Sequence, residues 1–97
     1  MIERKIVFSG EERFFQGHFP GFPVLPGVQQ LMMAYDLARE LAGRELTVKS
    51  VKRMKFVKVV EPGDEITAKV DECANGDYAY EISKGGMICS SGVLECC

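Results

Sequence analysis

The pattern of hydrophobic and polar residues predicts one long helix between two β-prone regions. Residues 2–8 alternate as a strand does, and Ser9 and Gly10 end that alternation. From Gly27 to Ala42, apolar residues occupy well over half of a helical circumference, which predicts a more deeply buried helix than one with a single apolar stripe. Gly43 follows in the position where a helix-ending glycine belongs. Four further β-prone runs cover residues 47–60, 65–71, 77–83 and 87–94.

The connections between these runs are of two kinds. Three short turns separate the later strands as antiparallel neighbours: Pro62-Gly63-Asp64, Asn75-Gly76-Asp77 and Gly85-Gly86. By contrast, residues 14–27 contain three of the four prolines and several apolar side chains, which predicts a shaped and packed loop. One strand, this loop, a buried helix and four consecutive strands predict a single α+β domain over residues 1–97, with an antiparallel sheet curled around a central helix.

Composition and charge exclude several classes of function. A chain of 97 residues buries a modest share of its surface, which favours dimerisation. Twelve basic against fourteen acidic residues give a net charge of −2, so nucleic acid is not an expected partner. No apolar run reaches the roughly 18–20 residues that span a membrane, and no apolar signal-peptide core follows Met1. We therefore expect a cytoplasmic protein that does not contact a membrane.

Cysteine spacing bears on redox state and metal binding. The four cysteines lack paired C-x-x-C elements, and the single histidine lies far upstream of them. We expect reduced thiols and no metal site. These cysteines are Cys73, Cys89, Cys96 and Cys97.

Two neighbouring features could carry chemistry. His18 is the only histidine and lies in the proline-rich loop, where apolar neighbours favour a neutral imidazole that can accept a proton. The alternative is a histidine that only binds loop backbone. Gly27, after Pro26, places an unobstructed N–H at the positive end of the helix dipole, where a developing negative oxygen can be held. An ordinary proline at a helix start is the alternative.

The helix and the run after it add polar candidates. Gln29, Met32, Met33 and Asp36 share one helix face by their spacing, although the methionines also suit a core and Asp36 also suits solvent. Five basic residues without an acid then follow, and they form either a solvated strand edge or a surface that docks an acidic protein. They are Lys49, Lys52, Arg53, Lys55 and Lys58.

Residues 17–28, Gly-His-Phe-Pro-Gly-Phe-Pro-Val-Leu-Pro-Gly-Val, resemble the active-site segment of the hotdog-fold β-hydroxyacyl-acyl carrier protein dehydratases. Phe56 and the turn 61–64 resemble that family's strand and turn after the helix, and the similarity runs over about residues 14–71. The resemblance implies a hotdog fold and two protomers paired edge to edge. It also implies a 3-hydroxyacyl thioester in a tunnel at their interface, carried on the phosphopantetheine of acyl carrier protein or coenzyme A, with no other cofactor.

The resemblance also assigns roles to individual residues. His18 would remove the α-proton, and the Gly27 N–H would polarise the thioester carbonyl. The family's helix acid, fourteen residues after the histidine, falls on Met32, whose thioether cannot donate a proton. Asp36, one turn further on, is then the candidate acid on this chain. Substrate-lining positions would be Phe19, Phe22, Val28 and Met32, and the carrier would dock on Lys52, Arg53 and Lys55.

Three functions remain open on this sequence. The first is a dehydratase in fatty-acid or polyketide-type synthesis, in which His18 acts alone or with Asp36. The second is an acid-deficient subunit that pairs with an acid-bearing homologue, or a protein that only binds acyl chains. The third is an acyl thioesterase that uses Asp36, which rests on analogy of fold alone.

Overall fold

Helix and strands form where the hydrophobic pattern predicts them. The computed structural model describes residues 1–7, 27–61 and 63–96. Strand β1 (Ile2–Val7) is followed by helix α1 (Gly27–Ala42), and then by β2 (Val48–Phe56), β3 (Glu65–Glu72), β4 (Tyr78–Lys84) and β5 (Met87–Cys96). The predicted helix is confirmed at both ends and all five predicted strands are present. The predicted loop up to residue 26 lies outside the described residues.

All pairings among the five described strands are antiparallel. The order across the sheet is β1-β3-β4-β5-β2, so β1 and β2 form its two edges. Strands β3, β4 and β5 are consecutive neighbours, while β2 crosses to pair with β5 at the end of the chain. This topology confirms the predicted α+β class with one helix and an antiparallel sheet.

The core lies between α1 and the concave face of the sheet. Helix α1 packs mainly against β3, where every second residue is buried. Ala34 and Ala38 are almost fully enclosed and allow the helix backbone to lie close to the strands. Large buried side chains fill the remaining volume: Leu37, Leu46, Val60, Ile66, Val70, Tyr78, Tyr80, Ile82 and Leu94.

The sheet covers α1 less completely than the sequence pattern suggests. Leu31, Met33 and Tyr35 are only partly buried, and Met32 is 53% exposed. Because the helix lies over β3, beside the β1 edge, none of the described strands covers the side of α1 that faces β2. Within residues 1–7, 27–61 and 63–96, an apolar helix face is therefore left open at the β2 edge.

Glycines end the helix and close the β4–β5 hairpin. Gly43 has a φ of 71°, and its N–H donates to the Arg39 carbonyl at 2.9 Å, as expected for a glycine after the last helical residue. Gly85 and Gly86 both have positive φ, which suits a two-residue hairpin turn. In the described part of the chain, no helix has the length and apolarity needed to cross a membrane.

Strand β2 is shorter and less regular than predicted. It ends at Phe56 because the N–H groups of Val57 and Lys58 both donate to the Cys89 carbonyl, at 2.7 and 3.2 Å, instead of continuing the ladder. Its register against β5 shifts between Lys52 and Lys55. Within that interval Arg53 takes a left-handed backbone with a φ of 54°. The β2 edge is therefore bulged.

Candidate functional site

The N-terminus of α1 is built around a close contact between Gly27 and Phe56. A Cβ atom at Gly27 would lie 2.8 Å from Cζ of Phe56 and 3.0 Å from Cε1, so the aromatic ring occupies the space of a side chain. A side chain at position 27 would therefore displace the ring of Phe56, and no unusual backbone angle is involved. No acidic residue occupies the first helical turn, so nothing on that turn neutralises the positive end of the helix dipole.

A buried polar pair joins the first turn of the helix to the sheet. Ser90 of β5 is fully buried, and its hydroxyl donates to Oε1 of Gln30 at 2.5 Å. Ser90 also lies opposite Phe56 in the β2–β5 register. The hydrogen bond therefore fixes Gly27 and the ring of Phe56 relative to one another. The sequence analysis missed this pair, although a glutamine among apolar helix positions was a usable signal.

Met32 lines an apolar groove beside the helix. The groove has a volume of about 340 Å³ and faces strands β2 and β5. Tyr35 also lines it, and its hydroxyl donates to the Leu46 carbonyl at 2.8 Å. No carboxylate is among the described residues that line it: Leu31, Met32, Tyr35, Leu46, Val48, Val51 and Leu94. The helix position where the resemblance places an acid thus presents a thioether to an apolar surface.

Asp36 lies on another side of the helix. It borders a different depression together with Met33, Arg4 and Glu40, next to strand β1. Its Oδ1 accepts a hydrogen bond from Nη2 of Arg39 at 3.0 Å, in an exposed ion pair. Asp36 and Met33 thus do not share one depression with Met32, although their spacing predicts a common face. The sheet contacts α1 on one side only, so Met33, about 100° from Met32 around the helix, and Asp36, about 40° from it, face different surroundings.

The basic residues lie on the β2 edge and are only partly neutralised. Glu95 of β5 pairs with Lys52 and, at 3.9 Å, with Lys49, and its hydrogen bond raises the pKa of Lys52. No ion pair to Arg53 or Lys55 is present among the described residues. Lys52 and Arg53 also border a cavity of about 420 Å³ on the side of the β3–β4 turn.

The remaining predicted site residues lie beyond what the structure describes. His18, Phe19 and Phe22 belong to residues 8–26, and of Val28 only the place in α1 is described. Their assigned roles stay predictions. Cys73 and Cys89 are free thiols.

A turn after β2 is held by a half-buried ion pair. Asp64 accepts hydrogen bonds from the Glu61 N–H and from Nζ of Lys84, both at 2.8 Å. The Lys84 hydrogen bond, with the Glu61 N–H second, lowers the pKa of Asp64. This turn is the one that resembles the dehydratase pattern, and the Asp64 carboxylate stabilises its conformation.

Comparisons with known proteins agree with this geometry. The family model of the ApeI-like dehydratases matches residues 1–93. The chain is 34% identical over 92 residues to the 3-hydroxyacyl-acyl-carrier-protein dehydratase FabZ of Syntrophobacter fumaroxidans, covering 87% of this chain and 63% of that protein. It is 35% identical over 106 aligned positions to FabZ of Oenococcus oeni, covering 97% and 76%.

Two solved structures have the same fold. The dehydratase heterocomplex ApeI:P from Xenorhabdus doucetiae superposes with a TM-score of 0.89 at 23% identity, covering 98% of this chain and 85% of that one. An uncharacterized protein from Erwinia carotovora subsp. atroseptica superposes with a TM-score of 0.81 at 27% identity, covering 98% and 81%. The predicted hotdog fold is confirmed.

Proposed function

Because this chain belongs to the ApeI-like dehydratase family, we propose that it is a subunit of a 3-hydroxyacyl thioester dehydratase whose general acid comes from a partner subunit. The chain spans about 63% of the length of the Syntrophobacter relative, and the activity, substrate and partners are all part of this proposal. The solved dehydratase heterocomplex ApeI:P is a precedent for a dehydratase built from unlike chains.

The observation that carries the proposal is the position of Met32. The family resemblance requires a carboxyl group there to protonate the departing β-hydroxyl, and this chain presents an exposed thioether. The nearest helix carboxylate, Asp36, is ion-paired to Arg39 and borders a different depression. Among the described residues, the groove side of α1 therefore carries no acid.

The other half of the chemistry is retained in the sequence. His18 would remove the α-proton of the thioester, and the Gly27 N–H would stabilise the negative oxygen that develops on the thioester carbonyl. The electron pair of the broken Cα–H bond then forms the Cα=Cβ double bond. The bond from Cβ to the hydroxyl breaks, and the hydroxyl leaves with a proton from the partner's acid. The products are water and an enoyl thioester.

The substrate is proposed to reach the site on acyl carrier protein. Arg53 and Lys55, whose charges no described ion pair offsets, and Lys52 beside them would contact the acidic surface of the carrier. Phe19, Phe22 and Val28 would then line the acyl tunnel beside Met32. A cytoplasmic location is part of the same proposal.

The test measures formation of the enoyl thioester by absorbance, with a 3-hydroxyacyl-acyl carrier protein as substrate. A second series uses an uncharged 3-hydroxyacyl thioester in 500 mM salt, because salt that screens the repulsion between the basic β2 edges of two copies would also weaken carrier docking. We expect the unmodified chain to be nearly inactive and Met32→Glu to gain about 10²–10⁴-fold, the usual contribution of a general acid. Met32→Gln, matched in size but without an acidic proton, should gain nothing.

Further variants separate the alternatives. Adding His18→Ala to Met32→Glu should abolish the gained activity. Full activity of the unmodified chain that falls in Asp36→Asn would overturn the proposal and assign the acid to Asp36. Release of free thiol from an acyl-coenzyme A, without enoyl product, would instead identify a thioesterase.

A further inference from the structure

The β2 edge of the sheet combines features of an interface with a charge that opposes self-association. Strand β2 pairs with β5 on one side, and no described strand pairs with its other side. Apolar side chains are exposed along this strand and its continuation, which is typical of a surface that a partner covers. They are Met54 at 47%, Phe56 at 49%, Val57 at 66% and Val59 at 55% exposed.

The same strand carries four basic residues among nine and no acidic residue. If a second copy paired antiparallel and centred on Lys52, Lys52 would face its own counterpart and Lys49 would face Lys55. Like charges directly opposite one another destabilise paired strands, and lysines on an edge strand generally discourage such pairing. Glu95 offsets part of the charge at Lys49 and Lys52, while Arg53 and Lys55 have no such neighbour among the described residues.

We infer that the β2 edge binds a different chain of the same fold, whose facing edge strand is acidic, and that it disfavours a second copy of this chain. The inference rests on the proposed function only in identifying this partner with the subunit that supplies the acid. An acidic strand would replace the like-charge contact between Lys49 and Lys55 by ion pairs and would cover the exposed apolar side chains. Lys52 and Arg53, which border the cavity beside the β3–β4 turn, would still be open to the carrier on that side. The bulge at Arg53 further restricts which strands fit, because it interrupts the regular edge.

The position of the groove supports the same occupant. Val48 and Val51 of β2 line the apolar groove beside Met32. A strand added to the free edge of β2 would lie about 4.7–4.9 Å beyond it, next to this groove. A partner on this edge can therefore reach the place where the acid is missing.

The test uses an acidic version of this chain as the stand-in partner. Lys49→Glu/Lys55→Glu leaves the Lys52–Glu95 pair intact and reverses two charges of the edge. Sedimentation is measured in 50 and 500 mM salt for the unmodified chain, for the variant and for their equimolar mixture. We expect the mixture to form dimers with a dissociation constant at least tenfold lower than that of the unmodified chain alone, and the difference should shrink in 500 mM salt as the charges are screened.

The matched control is Lys5→Glu/Lys69→Glu, which changes the charge equally on exposed residues at the opposite side of the sheet. Its mixture with the unmodified chain should associate no better than the unmodified chain alone. The inference is overturned if the unmodified chain alone dimerises in low salt as tightly as the mixture. If circular dichroism shows that the variant does not fold, the unmodified chain alone still tests the inference. Its dimerisation must then become tighter as the salt concentration rises, and dimerisation that does not would overturn the inference.

Binding and activity are read separately. A mixture in which the acidic-edge variant also carries Met32→Glu should turn over an uncharged 3-hydroxyacyl thioester, which needs no carrier contact at Lys55, because the acid then comes from the partner. Dimerisation of this mixture without turnover would contradict the proposed function and leave the interface standing. Turnover by an unmodified homodimer would overturn both.

Discussion

Loss of the buried Ser90 hydroxyl should lower the free energy of unfolding by more than the loss of an average hydrogen bond does. Ser90 is fully buried and Gln30 is 3% exposed, so the 2.5 Å hydrogen bond between them is shielded from water. In Ser90→Ala, Oε1 of Gln30 loses this donor at a site that water does not readily reach. A buried polar group that loses its partner costs about 1–3 kcal/mol, compared with about 0.5–1.5 kcal/mol for an average hydrogen bond.

The assay is urea unfolding followed by circular dichroism. For a domain of this size, each kcal/mol corresponds to about 4–8 °C in Tm, so thermal unfolding gives a second measure of the same loss. Ser91→Ala is the matched control, since Ser91 is the next residue of β5, is partly exposed and has no side-chain hydrogen bond in the described structure. We expect that control to stay within about 0.5 kcal/mol of the unmodified chain.

A double variant tests the reason for the loss. Gln30→Met/Ser90→Ala removes both hydrogen-bonding groups of the pair and should be less destabilised than the sum of the two single variants. Residues that share a buried hydrogen bond typically couple by about 0.5–3 kcal/mol. Equal stability of Ser90→Ala and Ser91→Ala, or strict additivity in the double variant, would refute the argument that this pair anchors the start of the helix.

Three further predictions follow from the described contacts. Asp64→Asn should lose less stability below pH 4 than the unmodified chain does, because the hydrogen bond from Lys84 lowers the pKa of the Asp64 carboxyl in the folded state. The stability from this carboxylate is present above its unfolded pKa of about 3.9 and is lost as the pH falls through the lower folded pKa. Equal slopes of stability against pH in acid unfolding would contradict this. Arg53→Gly should not destabilise the chain, because its φ of 54° suits glycine, and a loss above about 1 kcal/mol in urea would be the opposing result. Gly27→Ala should cost more in the unmodified chain than in Phe56→Ala, because only the intact ring meets the new Cβ, and equal costs in urea unfolding would argue against that contact.

The elements of the fold were predictable because they depend on local pattern. The apolar periodicity of α1 and the glycine at position 43 fix the helix, and the paired glycines at 85 and 86 fix a hairpin. Strand ends were less predictable. Strand β2 stops at Phe56 because two N–H groups turn to the Cys89 carbonyl, a contact between residues more than thirty positions apart.

The site was predictable in outline and not in its surroundings. The sequence alone shows that position 32 carries methionine in place of an acid. Helical spacing alone, however, predicts that Met32 and Asp36 lie on one face of the helix. Only the placement of α1 over β3 separates them into different depressions. Likewise, Gln30 lies on the buried side of the helix, where it accepts a hydrogen bond from Ser90. Because the two residues are sixty positions apart in the chain, the sequence pattern does not predict this pair.

The missing acid at Met32 and the basic β2 edge favour the same kind of partner. Strand β2 forms one wall of the groove that Met32 lines, so a chain that pairs with this edge also lies beside the position that lacks the carboxyl group. If a copy of the chain occupied the edge, it would bring a second Met32 and a second set of lysines, and both deficits would remain. A chain with an acidic edge and a helix acid removes both at once. Restoring only the acid by Met32→Glu should therefore give activity toward an uncharged 3-hydroxyacyl thioester that rises with salt, because the charge of the edge still opposes association until it is screened.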